Sequence, residues 1–73
     1  MPLTMLPPGQ EAIIRDCKAS EATRKFLEGL GIVPGASITV VSETGGNLIV
    51  NVKGSRLALS KGVAGQLYIT LAP

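Results

Sequence analysis

The sequence predicts an all-β domain: a small five-stranded barrel with one short α-helix between strands 1 and 2. Three observations predict it. The chain has 73 residues, the length of one small domain, so residues 1–73 are read as a single unit. Its apolar residues fall in short runs separated by Gly- and Pro-bearing turns, the pattern of strands joined by hairpins. Only the segment from Ser20 to Leu30 combines helical periodicity with a capping residue.

Taken in order, Pro7-Pro8-Gly9 closes an extended lead-in with a turn. Glu11 to Cys17, with Ala12-Ile13-Ile14 inside it, suits a first strand. Ser20 is an N-cap and Glu21 places an anion in the first turn, where the helix dipole favours it. Ala22, Phe26, Leu27 and Leu30 share one arc, which predicts a buried face. Glu21, Arg24, Lys25 and Glu28 share the other, with Glu21–Lys25 and Arg24–Glu28 at (i, i+4) spacing. Gly31 follows as the left-handed residue that stops the helix. Pro34-Gly35 fits the central positions of a type II turn.

Strands are then expected over Ser37–Glu43 and Asn47–Val52. A two-residue Gly45-Gly46 turn would set Val41 opposite Val50 and Glu43 opposite Leu48. A three-residue or bulged connection instead gathers Ile38, Val40, Leu48, Val50 and Val52 on one face, and is the favoured reading. Lys53-Gly54-Ser55 leads into a fourth strand over Arg56–Leu59. Ser60 can cap a single turn over Lys61–Ala64, weakened by Gly62. Leu67, Ile69 and Leu71 alternate with Tyr68 and Thr70 in a last strand.

The composition excludes several chemistries. With no His and one Cys, the chain has no imidazole base, no Cys/His zinc set, no disulfide and no CxxC pair. Gly45-Gly46 lacks the Lys-Ser/Thr of a phosphate-binding loop. An enzyme is therefore not expected. Cys17 with Asp16 or Glu11 is a poor metal set, because neighbouring strand residues point to opposite faces. No cofactor is expected, and any Fe2+ or Zn2+ association would be weak.

Residues 1–36 sum to zero charge, while residues 37–73 carry Lys53, Arg56 and Lys61 against Glu43 alone. Three cations with Phe26 and Tyr68 as the only aromatics do not make a nucleic-acid surface. The first eight residues lack the basic and apolar regions of a signal peptide, and no apolar run reaches the roughly 18 residues of a membrane span. A single unpaired Cys fits a reducing compartment, so a cytoplasmic location is expected. The candidate contact residues are Ile32 and Val33, which lie between two chain reversals where burying both is difficult, and Lys53 and Arg56 from the basic half.

Two stretches carry a family resemblance. One is Arg24-Lys25-Phe26-Leu27-Glu28-Gly29-Leu30-Gly31-Ile32-Val33-Pro34-Gly35 running into Ile38. The other is Val52-Lys53-Gly54-Ser55-Arg56-Leu57-Ala58-Leu59 followed by Ala64. In this order and spacing they resemble the FeoA family. The hairpin Glu43-Thr44-Gly45-Gly46-Asn47 is shorter than in many relatives, and Gly62-Val63 stands where an acidic residue often precedes the late Ala.

The resemblance implies an SH3-like barrel and a cytoplasmic accessory protein of bacterial ferrous-iron transport. It would act by protein–protein interaction on the membrane transporter FeoB, which carries a cytoplasmic GTP-binding domain, and would meet the membrane only through that partner. The partner-binding residues are then expected to be Ile32, Val33, Lys53 and Arg56. Open strand edges leave room for a weak homo-oligomer. The alternatives are a stand-alone relative of the C-terminal barrel of iron-dependent repressors, or a metal carrier.

Overall fold

A computed structural model describes residues 1–73. Five strands form one antiparallel sheet: β1 (Glu11–Cys17), β2 (Ser37–Thr44), β3 (Asn47–Val52), β4 (Ser55–Ser60) and β5 (Leu67–Leu71). Helix α1 (Glu21–Gly29) joins β1 to β2, and a one-turn helix α2 (Lys61–Ala64) joins β4 to β5. A 3₁₀ turn at Leu3–Met5 precedes them.

The spatial order is β4-β3-β2-β1-β5, and this corrects the barrel expectation. The strands and the helix after the first strand are where the sequence places them, but β4 and β5 do not pair and the sheet stays open. With α1, α2 and the 3₁₀ turn, the domain is an antiparallel sheet with helical connections rather than an all-β barrel. The physical reason lies at the edge that closure would need. Pro2 bridges Tyr68, and Met1 and Ile69 exchange backbone bonds, the Ile69 N–H donating to the Met1 carbonyl at 2.8 Å and the Met1 amine to the Ile69 carbonyl at 3.1 Å. The N-terminal segment thus occupies the centre of β5's outer edge, at Ile69, where β4 would have to pair.

The β2–β3 hairpin satisfies the apolar pattern by a bulge. Gly45 and Gly46, at φ +51° and +88°, form a two-residue turn that sets Glu43 opposite Leu48. The register then shifts between Val40 and Ser42, which brings Val40 opposite Val50. Ile38, Val40, Leu48, Val50 and Val52 are all buried, as the favoured face required, with no three-residue loop. They meet Ala12, Ile14, Leu59, Leu67 and Ile69 from the other strands. Leu3, Leu6, Leu27, Ile32 and Ala64 complete the core, brought by the connections rather than the strands.

Local signals set both helices. The Ser20 hydroxyl accepts the Thr23 N–H at 3.3 Å, and the Ser60 hydroxyl accepts the Val63 N–H at 3.2 Å. Gly31, at φ +89°, ends the α1 segment as predicted. The buried face of α1 is narrower than its periodicity suggests. Leu27 is 1% exposed, whereas Ala22 is exposed, Leu30 is half-buried and Phe26 is 66% exposed.

Candidate functional site

The site residues lie around the tip of the β3–β4 hairpin and the end of α1. Lys53 and Gly54, at φ +52° and +79°, form the two-residue turn that sets Val52 opposite Ser55. Lys53 is the one non-glycine residue in the left-handed region, a conformation that disfavours a side chain. Its aliphatic stem runs across Gly31, so that a Cβ built there would lie 3.3 Å from Lys53 Cδ and 3.8 Å from its Nζ. The ammonium is thereby held at the C-terminal end of α1, where the helix dipole favours a cation.

Arg56 sits one ladder step away, opposite Asn51, on the face of the sheet turned from the core. Both cations are exposed and neither enters an ion pair. Lys61, the third cation of the basic half, is paired with Glu43 across the α2–hairpin junction. On α1, Glu21 and Lys25 pair at 3.5 Å, while Arg24 and Glu28 do not meet.

Of the two apolar candidates, Val33 is half-buried, two residues along the chain from the Gly31 that Lys53 crosses. Ile32 corrects the expectation of exposure: it is 3% exposed and belongs to the core. Its N–H donates to the Leu27 carbonyl at 2.9 Å, which folds the segment back under the helix and carries the side chain inward. The structure therefore brings Lys53 to the helix end two residues from Val33, sets Arg56 on the adjoining face, and removes Ile32. Sequence reasoning missed Phe26. The signal was present in its small neighbours Ala22 and Gly29, which offer a core little to pack against.

A groove of about 260 Å³ runs between β1 and α1, lined by Ile14, Asp16, Cys17, Arg24, Glu28 and Ile32 among others. A register shift between Ile14 and Asp16 supplies the bulge that a shared Asp16–Cys17 site would need. The Asp16 carboxylate is nonetheless committed elsewhere, accepting the Cys17 N–H at 2.8 Å and pairing with Lys18 Nζ at 2.9 Å. No group of three or more His, Cys, Asp or Glu side chains is placed to hold an ion.

The Lys18 hydrogen bond, with help from the Cys17 N–H, holds the Asp16 carboxyl below its ordinary range, and Asp16 in turn raises Lys18. The stabilisation from Asp16 is present above the ordinary carboxylate value and lost as pH falls through the lowered one. That from Lys18 is present below the ordinary lysine value and lost as pH rises through the raised one. Both groups are solvated, so the effect on stability is small. NMR titration should give Asp16 a midpoint below that of a free aspartate, and Lys18→Met should move it upward. An unchanged midpoint in that variant would show that Lys18 is not the cause.

No helix is long and apolar enough to cross a membrane. The FeoA domain family matches residues 1–71. A Methanocaldococcus jannaschii protein with the assigned name Fe(2+) transport protein A is 28% identical over 68 residues, covering 93% of this chain and 83% of that one. The crystal structure of an iron uptake regulatory protein, FeoA, superposes with a TM-score of 0.83 at 33% identity, covering 94% of this chain and 92% of that one. The solution structure of Chlorobium tepidum FeoA superposes with a TM-score of 0.94 at 28% identity, over 100% of this chain and 71% of that one. This chain belongs to the FeoA family, the non-catalytic cytoplasmic accessory proteins that partner FeoB-type ferrous-iron transporters.

Proposed function

We propose that this chain regulates its transporter by docking on the cytoplasmic region through the surface around the Lys53–Gly54 turn, with Val33, Lys53 and Arg56 as contact residues. The observation that carries this is the division of the basic half. Lys61 is neutralised by Glu43, whereas Lys53 and Arg56 stand exposed without a counter-charge. Holding Lys53 in the left-handed region costs the fold free energy, and strain of this kind gathers at functional positions. Val33 adds a partly exposed apolar residue two positions from the glycine that Lys53 crosses.

Such a surface steers encounter with an acidic face and fixes register, and its strength falls with salt. Bound to one conformer of the transporter better than another, the chain shifts that equilibrium, or the rate of GTP hydrolysis, by no more than its differential affinity.

The test is binding of the chain to the transporter's cytoplasmic GTP-binding region, with GTPase rate recorded in parallel. Reversing both charges (K53E with R56E) should weaken the complex about ten-fold or more, since each unfavourable pairing across an interface is costly. The fold should remain, because both side chains lie in solvent. Unchanged affinity in the double variant would place docking on another face.

A further inference from the structure

We propose that the outward face of α1, centred on Phe26, is a second part of the docking surface, and that it receives an amphipathic helix bearing carboxylates beside its apolar stripe, contributed by the transporter's cytoplasmic region. This rests on the docking reading above and extends it to a residue that reading does not use.

Phe26 is 66% exposed, a large apolar ring left in water on an element that has a core-facing side available. It is not isolated. Ala22, Phe26 and Leu30 form an (i, i+4) ridge, with Ala22 and Leu30 exposed and half-buried. Ala22 and Gly29 are small, so the ridge has one large side chain with shallow ground around it. That relief fits the ridges-into-grooves packing of a second helix, not the flat register of an added strand.

Charge selects the occupant. The acidic residues of α1, Glu21 and Glu28, line the groove toward β1, on the far side of the helix from Phe26. Gly31, the residue that follows the last ridge position Leu30, instead lies against the stem of the unpaired Lys53. An incoming helix therefore finds an apolar strip ending at a cation, which matches apolar anchors followed by a carboxylate.

Size argues against this face holding a partner on its own. A ridge of three side chains on a nine-residue helix falls well short of the roughly 800 Å² per partner that a stable complex buries. The face has to work with a neighbouring contact, and Lys53 already belongs to the proposed one.

The experiment compares wild type and Phe26→Ser for binding to the transporter's cytoplasmic region, with sedimentation of each protein alone and flotation with anionic phospholipid vesicles as further arms. The ring is in solvent, so Phe26→Ser leaves the fold intact and the circular dichroism spectrum unchanged. Loss of roughly ten- to a hundred-fold in affinity is expected, the range for a central aromatic anchor, with Phe26→Leu retaining most of it. Equal affinity in wild type and Phe26→Ser would overturn this inference while leaving docking through Lys53 and Arg56 standing. Failure of wild type to bind would overturn the docking reading and this one with it. A Phe26-dependent dimer or vesicle association, without a Phe26 effect on transporter binding, would assign the face to a second copy or to lipid and overturn the occupant named here.

Discussion

Leu27→Ala is expected to destabilise the domain by about 2–4 kcal/mol, the usual cost of emptying a leucine site in a close-packed core. A domain of this length has a total stability of roughly 4–11 kcal/mol, so the loss is a large fraction of it. The melting temperature should fall by roughly 10–25 °C, given the few degrees per kcal/mol of a small domain. Leu27 is the only fully buried residue of α1, so no other helix side chain shares its role. Its carbonyl also accepts the N–H groups of both Leu30 and Ile32, which ties the helix end to a core residue. Amide exchange should therefore accelerate across α1 more than in β3, a strand flanked on both sides. A uniform acceleration would show instead that α1 and the sheet open as one unit. Phe26→Ser, one position away, should leave the melting temperature nearly unchanged.

Gly31→Val is the second large effect, expected at about 2–3 kcal/mol. Gly31 has φ +89°, which costs an L-residue roughly 1–2 kcal/mol, and a branched side chain more. The added Cβ also arrives 3.3 Å from Lys53 Cδ, tighter than ordinary van der Waals contact, so the lysine stem has to move. Gly35 separates the two contributions. It has nearly the same φ, +91°, with nothing within 4 Å of a built Cβ. Gly35→Ala should therefore show the backbone cost alone, and Gly31→Ala should exceed it. Adding Lys53→Gly to Gly31→Ala should recover part of the difference. Equal costs at the two glycines, read by chemical denaturation, would mean that Lys53 yields without penalty.

What was legible in the sequence divides along the range of the interactions. The limits of α1 follow from Ser20 and Gly31, whose chemistry acts within one turn, and both ends were foreseen. The inner face of the hairpin was legible because alternation fixes which side chains must be buried. How the chain achieves it, by a bulge near Val41 behind a two-residue turn, was only one of the options the pattern allowed. Barrel closure was misjudged because it depends on a long-range competition: Met1 and Pro2 hold the edge of β5, and no local pattern announces that pairing.

The site was legible in part for the same reason. Lys53 and Arg56 are exposed because a tight turn and an outward strand position put them there. Ile32 was misplaced because burial there depends on a hydrogen bond back to Leu27, which two adjacent turn signals conceal. Phe26 was misplaced because an apolar arc shows what a helix could bury, not how much of it the rest of a small domain covers.

The asymmetry of the sheet's two margins has a consequence for assembly. At β5 the centre of the edge is covered by Met1 and Pro2, with both main-chain groups of Ile69 bonded to Met1, while β4 is laddered to β3 alone. A sheet with both margins bare can add a neighbour on each side and grow without end, as fibrils do. One with a single bare margin is monovalent. Any strand-to-strand joining through β4 therefore terminates at two chains, so the strap that prevents the sheet from closing also acts as a chain stopper against polymerisation.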